Sequence, residues 1–308
     1  MFRKRHVIAR KALYFQNNCY IITFHLICNK KHYFYKKSLD SQDFIFHCFD
    51  MPFTLSHAVL APPLAKLSGN RLPIAALAIG TMTPDLYRVL VKTEIYLNHQ
   101  FKGLIYPDLF VGLLFCFLWY CLYRPMIFQY LAIDKPLNIH SFSSFIKFFI
   151  WMVIAILIGT STHIIWDGLT HLDFRTFAFQ NFLAQPIHIF HQTYPMHRVL
   201  QIGCSIVALP FLLWMGLHYF SKYRINKKPN AKLQKFCFLL AFISFFSGCA
   251  YYIYFAKKMG FVPQQTDLYI FIGFFMKAFT QGAMVCFTLG CVLFHYFKYR
   301  KSFDSVHE

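Results

Sequence analysis

Charge is scarce in this 308-residue chain, at 14% of residues, where soluble domains carry roughly 25%. Acidic residues are the scarcest, 12 Asp+Glu against 31 Lys+Arg, while 57% of residues are hydrophobic and 20% aromatic. That balance excludes an ordinary soluble globular domain. The ten cysteines contain no C-x-x-C pair, which removes both a cysteine zinc site and an evident disulfide framework. Six of them (Cys116, Cys121, Cys237, Cys249, Cys286 and Cys291) fall inside apolar blocks, where cysteine behaves as a small hydrophobe. There is no G-x-S-x-G elbow, no phosphate-cradling glycine loop and no H-E-x-x-H helix. No internal repeat is evident, which weakens the case for a transporter built on inverted repeats.

What the chain has instead is apolar sequence in blocks long enough to cross a bilayer. A span needs about 20 mostly apolar residues, because a helix rises about 1.5 Å per residue through a core of about 30 Å. Five segments qualify, at about 108–131, 145–165, 199–220, 236–256 and 270–296. Two shorter helical stretches precede them, about 55–67 and 72–84, joined by the turn-like Ser68-Gly69-Asn70-Arg71. They form an expected hairpin that returns both ends to one side. The expected fold is an all-α, polytopic membrane bundle.

The formal charge of +19 lies in short runs between the apolar blocks. That placement suits topology signals and anionic headgroups, and no basic-plus-aromatic module points to nucleic acid. The richest run, 221–235, and the C-terminal Lys298, Arg300 and Lys301 are separated by two spans. Both are expected on the cytoplasmic side, with the tail 298–308, while 86–107 and 166–198 lie outside. Lys257 and Lys258 depart from the pattern. Residues 1–50 differ in composition from everything downstream, and Met51 opens a stretch, MPFTLSHAVLAPPLAKL, that reads as a protein start. They are expected to be an upstream basic extension. The membrane domain proper then covers 51–220, and a C-terminal pair of spans covers 236–297.

The chemistry-bearing run is His163-Ile-Ile-Trp166-Asp167-Gly-Leu-Thr-His171. Residues four apart on a helix are offset by about 40° after one turn, and each rises about 6 Å above the last. All three polar side chains therefore share one face at the end of a strongly apolar span. An ionisable residue there is costly unless paired or hydrated, so function is the default reading. The predicted topology puts His57, at the start of the hairpin, and Asp85, at its end, on the same side. His99 and Asp108 follow there. The expected ligands of one ion are His57, Asp85, His163 and Asp167, with His99 or His171 moving protons. Imidazole and carboxylate suit zinc first, then manganese or iron(II). The competing structural reading is a set of hydrogen-bonded helix contacts.

These residues resemble a bacterial membrane family catalogued as domain of unknown function 4184. The resemblance runs through Met51-Pro-Phe-Thr-Leu-Ser-His57-Ala58, Leu72-Pro-Ile-Ala and Gly80-Thr-Met-Thr-Pro84-Asp85. It continues through His99, Gly103-Leu104, Asp108-Leu109, Arg124-Pro125, Ser161-Thr-His163 through His171, and Leu200-Gln201. The same stretch more distantly resembles inner-membrane proteins described as metal-dependent hydrolases. The resemblance implies a bacterial inner-membrane location, supports the start at Met51, and supports the ligand set above. It supplies no substrate. Asn98 stands where the family usually has serine before the histidine, and Phe110 where it has proline.

His188, His191 and His197 crowd the loop after this run and read as exposed polar groups. Gln201 reads as a helix–helix contact, and Lys277 with Gln281 as polar residues within the last span. The leading expectation is a metal-dependent hydrolase working at the membrane surface on a lipid or lipid-linked ester or phosphoester. The alternatives are a transporter or channel using the cluster as an ion site, and a non-catalytic membrane protein. Oligomeric state is not legible in the sequence.

Overall fold

A computed structural model describes residues 54–91, 96–189, 192–226, 229–261 and 268–303. The expectations about the extension 1–50 and about His191 lie outside the described residues. Five helical segments are long and apolar enough to cross a membrane: Phe101–Leu131, Phe142–Thr170, Met196–Tyr223, Ala231–Met259 and Leu268–Tyr299. The protein is an all-α polytopic bundle, with one small β-hairpin among its described residues.

The N-terminal hairpin is a 3₁₀ turn, Thr54–Leu60, leading into α1 (Ala61–Leu67), and then α2 (Ile74–Leu90). Two short 3₁₀ turns, Tyr96–His99 and Phe101–Gly103, lead into the first span. That span is irregular: wide turns at Leu104–Leu109 and Leu118–Tyr123 alternate with α3 (Phe110–Phe117) and α4 (Arg124–Leu131). α5 (Phe142–Thr170) starts from a reciprocal cap, in which Ser141 Oγ accepts from Ser144 N–H and Ser144 Oγ accepts from Ser141 N–H. After it come α6 (Gln180–Leu183), the antiparallel pair β1 (Pro186–Ile189) and β2 (Gln192–Pro195), and three long helices. These are α7 (Met196–Tyr223), α8 (Ala231–Met259) and α9 (Leu268–Tyr299).

α2 departs from the sequence expectation. The hairpin's second helix was expected to stop at Pro84, yet it runs on to Leu90. Proline inside a helix removes one N–H and frees the carbonyl four residues back. Here that carbonyl, Gly80 O, accepts from the Thr160 hydroxyl at 3.2 Å, and the adjoining Thr81 O accepts from His163 Nδ1 at 2.8 Å. Both donors come from α5. The interruption in α2 is therefore repaired by the neighbouring helix, and the helix continues.

Such repair requires the two helices to touch at their backbones. A Cβ on Gly80 would lie 2.6 Å from Ile156 O, and one on Gly159 would lie 2.6 Å from Leu77 O. Only glycine fits at either place, a packing rule common in membrane helices. Around this crossing a buried cluster of Ala76, Leu77, Phe115, Cys116, Ala155 and Ile156 forms the core under the site. A second cluster joins α4, α8 and α9 through Met126, Leu233, Leu240, Cys291 and Phe294. Large apolar side chains on α7, such as Phe211, Leu213 and Trp214, are exposed, as a lipid-facing surface requires. The cysteines among the described residues are free.

Candidate metal centre

The α2–α5 crossing delivers Asp85 from one helix and His163 and Asp167 from the other to the same end of the bundle. His57 arrives on the 3₁₀ turn Thr54–Leu60, and His99 on the turn Tyr96–His99. Asp85, His99, His163 and Asp167 are all buried, and only the His57 and His171 side chains keep slight exposure, 14% and 12%. His99 Nε2 lies 3.1 Å from Asp85 Oδ1 and 3.7 Å from Asp167 Oδ2. His163 Nε2 lies 3.4 Å from Asp167 Oδ2 and 3.9 Å from Asp85 Oδ1. His57 Nε2 is 4.0 Å from Asp167 Oδ1, and its ring stacks on that of His163 with centroids 4.2 Å apart. Two triplets, His57–Asp85–His163 and His99–His163–Asp167, have donor atoms close enough to hold an ion.

The far sides of two rings decide what the near sides can do. Thr81 O can only accept, so the 2.8 Å contact places a proton on His163 Nδ1. Asn98 Nδ2 donates to Pro84 O at 2.7 Å, which turns Asn98 Oδ1 toward His99 Nδ1 at 3.2 Å. His99 Nδ1 therefore carries the proton as well. In its neutral form His163 aims an Nε2 lone pair at carboxylate oxygens, an arrangement that a cation between them would stabilise, while His99 Nε2 lies within hydrogen-bonding distance of Asp85 Oδ1 at 3.1 Å. His163 Nε2 has no hydrogen-bond partner, and carboxylate oxygens of Asp167 and Asp85 lie 3.4 and 3.9 Å from it. Ligating histidines characteristically have the other nitrogen held by a carbonyl or carboxyl oxygen in this way.

Electrostatics outside the spans agree. Burial, reinforced by His163, holds His57 down to about 4. Burial likewise holds His99 down to about 3, against the pull of Asp85. Burial alone would raise Asp85, but His163 and then His99 outweigh it, and the carboxyl lies below the usual range. At neutral pH the site outside the spans is thus neutral imidazole facing carboxylate, the protonation state that metal binding needs.

Two features were not read from the sequence. Arg175, buried in the loop after α5, donates from Nη1 to Asp167 Oδ2 at 3.1 Å and grips Asp173 through Nε at 3.0 Å and through Nη2. Its partner Asp173, two residues earlier in Asp173-Phe-Arg175, was the only available signal. Asn98 acts as the orienter of His99. Asp108 is wholly buried with neither oxygen hydrogen-bonded. His171 sits at the margin, its Nδ1 3.6 Å from Asp167 Oδ1 and 3.3 Å from Thr170 Oγ1.

Other singled-out residues lie elsewhere. His188 is exposed and pairs with Thr193 across the hairpin, and His197 Nδ1 meets Leu183 O at 3.3 Å. Gln201 donates to Thr170 O at 3.0 Å and accepts from the Tyr269 hydroxyl, tying α7 and α9 to the end of α5. Gln281 donates to Val89 O at 2.9 Å near the end of α2.

A family model described as "Domain of unknown function (DUF4184)" matches residues 51–293. No curated protein and no solved structure matches the chain. The match covers well over half of the sequence, and the chain belongs to that family.

Proposed function

We propose that this family member is a metal-dependent hydrolase of the membrane surface, with one divalent ion held among His57, His99, His163, Asp85 and Asp167. The observation that carries the reading is the pair of Nε2 atoms, on His99 and His163, turned by Thr81 and Asn98 toward two carboxylates. Such a set of nitrogen and oxygen donors fits zinc, and also manganese or iron(II). When bound, the ion would supply a Lewis acid and bring the pKa of a water molecule to about 7.

The chain's own residues do the rest. Thr81 O and Asn98 hold two rings in register, and Arg175 fixes one oxygen of Asp167. Asp108 is a further buried carboxyl group beside His163 and Asp85. His99 belongs with the ligands in this reading rather than with proton transfer, because its ring is fully buried and both nitrogens are engaged. His171, at the exposed margin and close to Asp167, is the group placed to pass protons to solvent.

Depth in the bilayer favours a lipid or lipid-linked ester or phosphoester. His163 lies nine residues along α5 from Ile154, in the middle of its apolar run, or about 14 Å at 1.5 Å per residue. The half-thickness of a bilayer core is about 15 Å, so the site stands where headgroup meets acyl chain.

The test is hydrolysis by the full chain reconstituted in vesicles carrying ester- and phosphoester-labelled phospholipids. Turnover should disappear with chelator, return with zinc or manganese, and be absent in His163→Ala. His171→Ala should keep the metal and lose most of kcat. A metal-loaded protein that hydrolyses neither class of linkage would overturn the hydrolase reading.

A further inference from the structure

Between α5 and the β-hairpin, residues 172–182 hold a leucine and four phenylalanines, and every one is exposed. Phe179 is 67% exposed and Phe177 56%. The segment's only charged residues are Asp173 and Arg175, which are spent on each other and on Asp167. A loop facing water does not ordinarily display so much aromatic surface with no free charge. Phe179 also adopts a left-handed backbone, φ 61°, uncommon for a bulky residue.

The loop doubles back toward the membrane. Phe177 N–H donates to Gly168 O at 3.2 Å, and the Phe177 ring occupies the space a Cβ on Gly168 would need, 1.7 Å away. The Thr176 hydroxyl donates to His171 O. Phe177 is thus brought back to the level of Asp167, about 20 Å from Ile154 along α5, in the headgroup layer. Phenylalanine on the apolar face of an interfacial segment buries its ring at the boundary between headgroups and acyl chains.

We propose that residues 172–182 form a membrane-interface wedge that seats its phenylalanines in phospholipid beside the mouth of the site. The wedge and the site are mechanically joined, because Arg175 in the loop is bonded to Asp167. A bilayer, rather than another protein, is the occupant argued here, because the loop lies between two apolar membrane-crossing helices, α5 and α7, and α7 itself carries exposed apolar surface. A lipid could then present its linkage to His171 without leaving the bilayer. The wedge itself requires no bound ion.

Photo-crosslinking tests this on the full chain. Phe179→p-benzoylphenylalanine and Phe182→p-benzoylphenylalanine would each be reconstituted in vesicles of phosphatidylethanolamine and phosphatidylglycerol and irradiated. Position 174 offers a third label should one of these fail to fold. Leu213 on the lipid-facing surface of α7 provides the positive control, and His188 on the exposed hairpin the negative one. Intact mass should rise by one phospholipid at 179 and 182, as at 213, with loss of that adduct at 188. Adducts at 213 alone would place the loop in water and overturn the proposal. Crosslinks joining two copies of the chain in place of lipid would also overturn it, making the patch an interface between copies. The readout needs neither metal nor turnover, so it fails or succeeds independently of the hydrolase reading.

Discussion

Gly159→Ala probes the contact on which the whole site rests. The added Cβ would lie 2.6 Å from Leu77 O and 2.7 Å from Thr81 N, both backbone atoms with no rotamer to yield. Ordinary contact begins near 3.4 Å, so α2 and α5 must part by about 0.8 Å. Taken along the His163 Nδ1–Thr81 O bond, now 2.8 Å, that shift gives about 3.6 Å, outside hydrogen-bonding range. Overpacking costs about 1–3 kcal/mol and the lost buried bond about 1 kcal/mol. The expected loss is therefore about 2–4 kcal/mol, or about 3–6 °C in Tm for a chain of this size. Thermal unfolding in detergent, followed by a cysteine-reactive dye, would measure it. Metal retention should fall as well, because the His163 ring loses its orienting acceptor. Gly216→Ala on α7 is the control, since nothing lies within 4 Å of its Cβ position. A Gly159→Ala protein that melts with the wild type and keeps its metal would refute the reasoning.

Asn98→Ala removes the acceptor that orients His99 while leaving the ligands in place. Metal affinity should drop about 10–100-fold with little change in fold, measured by competition against a chromogenic chelator. Arg175→Ala leaves Asp167 without its guanidinium and should destabilise the metal-free protein by about 3–5 kcal/mol. Saturating metal should recover part of that loss in the melting temperature, since a cation again faces the carboxylate. The pH dependence follows from His57 and His99, whose folded pKa values near 4 and 3 lie below the unfolded value of 6.5. A lowered histidine pKa gives stability that is present above pH 6.5. That stability is lost as pH falls through 6.5 toward 4, because the unfolded chain takes up the protons first. Detergent unfolding of the metal-free protein across that window should show the decline. The decline should shrink in His57→Ala combined with His99→Ala, where His171 alone among the described histidines outside the spans keeps a lowered pKa.

The membrane class and the five spans were legible because a bilayer imposes a length and an apolarity that composition alone reveals. The spacing of His163, Asp167 and His171 showed a shared helical face, and topology placed His57, Asp85 and His99 beside it. The course of α2 was not legible. Pro84 reads as a stop, and its tolerance depends on Thr160 and His163 supplying donors from a helix 80 residues away. Gly80 and Gly159 looked like ordinary small residues until the close approach gave them a role. Arg175 was missed because a single arginine in a loop carries no periodic signal; its ion pair with Asp167 is purely tertiary. Asn98, noted only as a departure from the family's serine, proves to be the partner of His99.

Metal content most directly tests the central claim. Full-length protein purified in detergent without chelator, offered zinc and manganese and then dialysed, would be analysed by elemental mass spectrometry beside His163→Ala and Asp167→Ala. The account predicts near-stoichiometric metal in the wild type and its loss in both variants, with helical content unchanged by circular dichroism. A wild type that holds no metal, or variants that hold as much as the wild type, would contradict it.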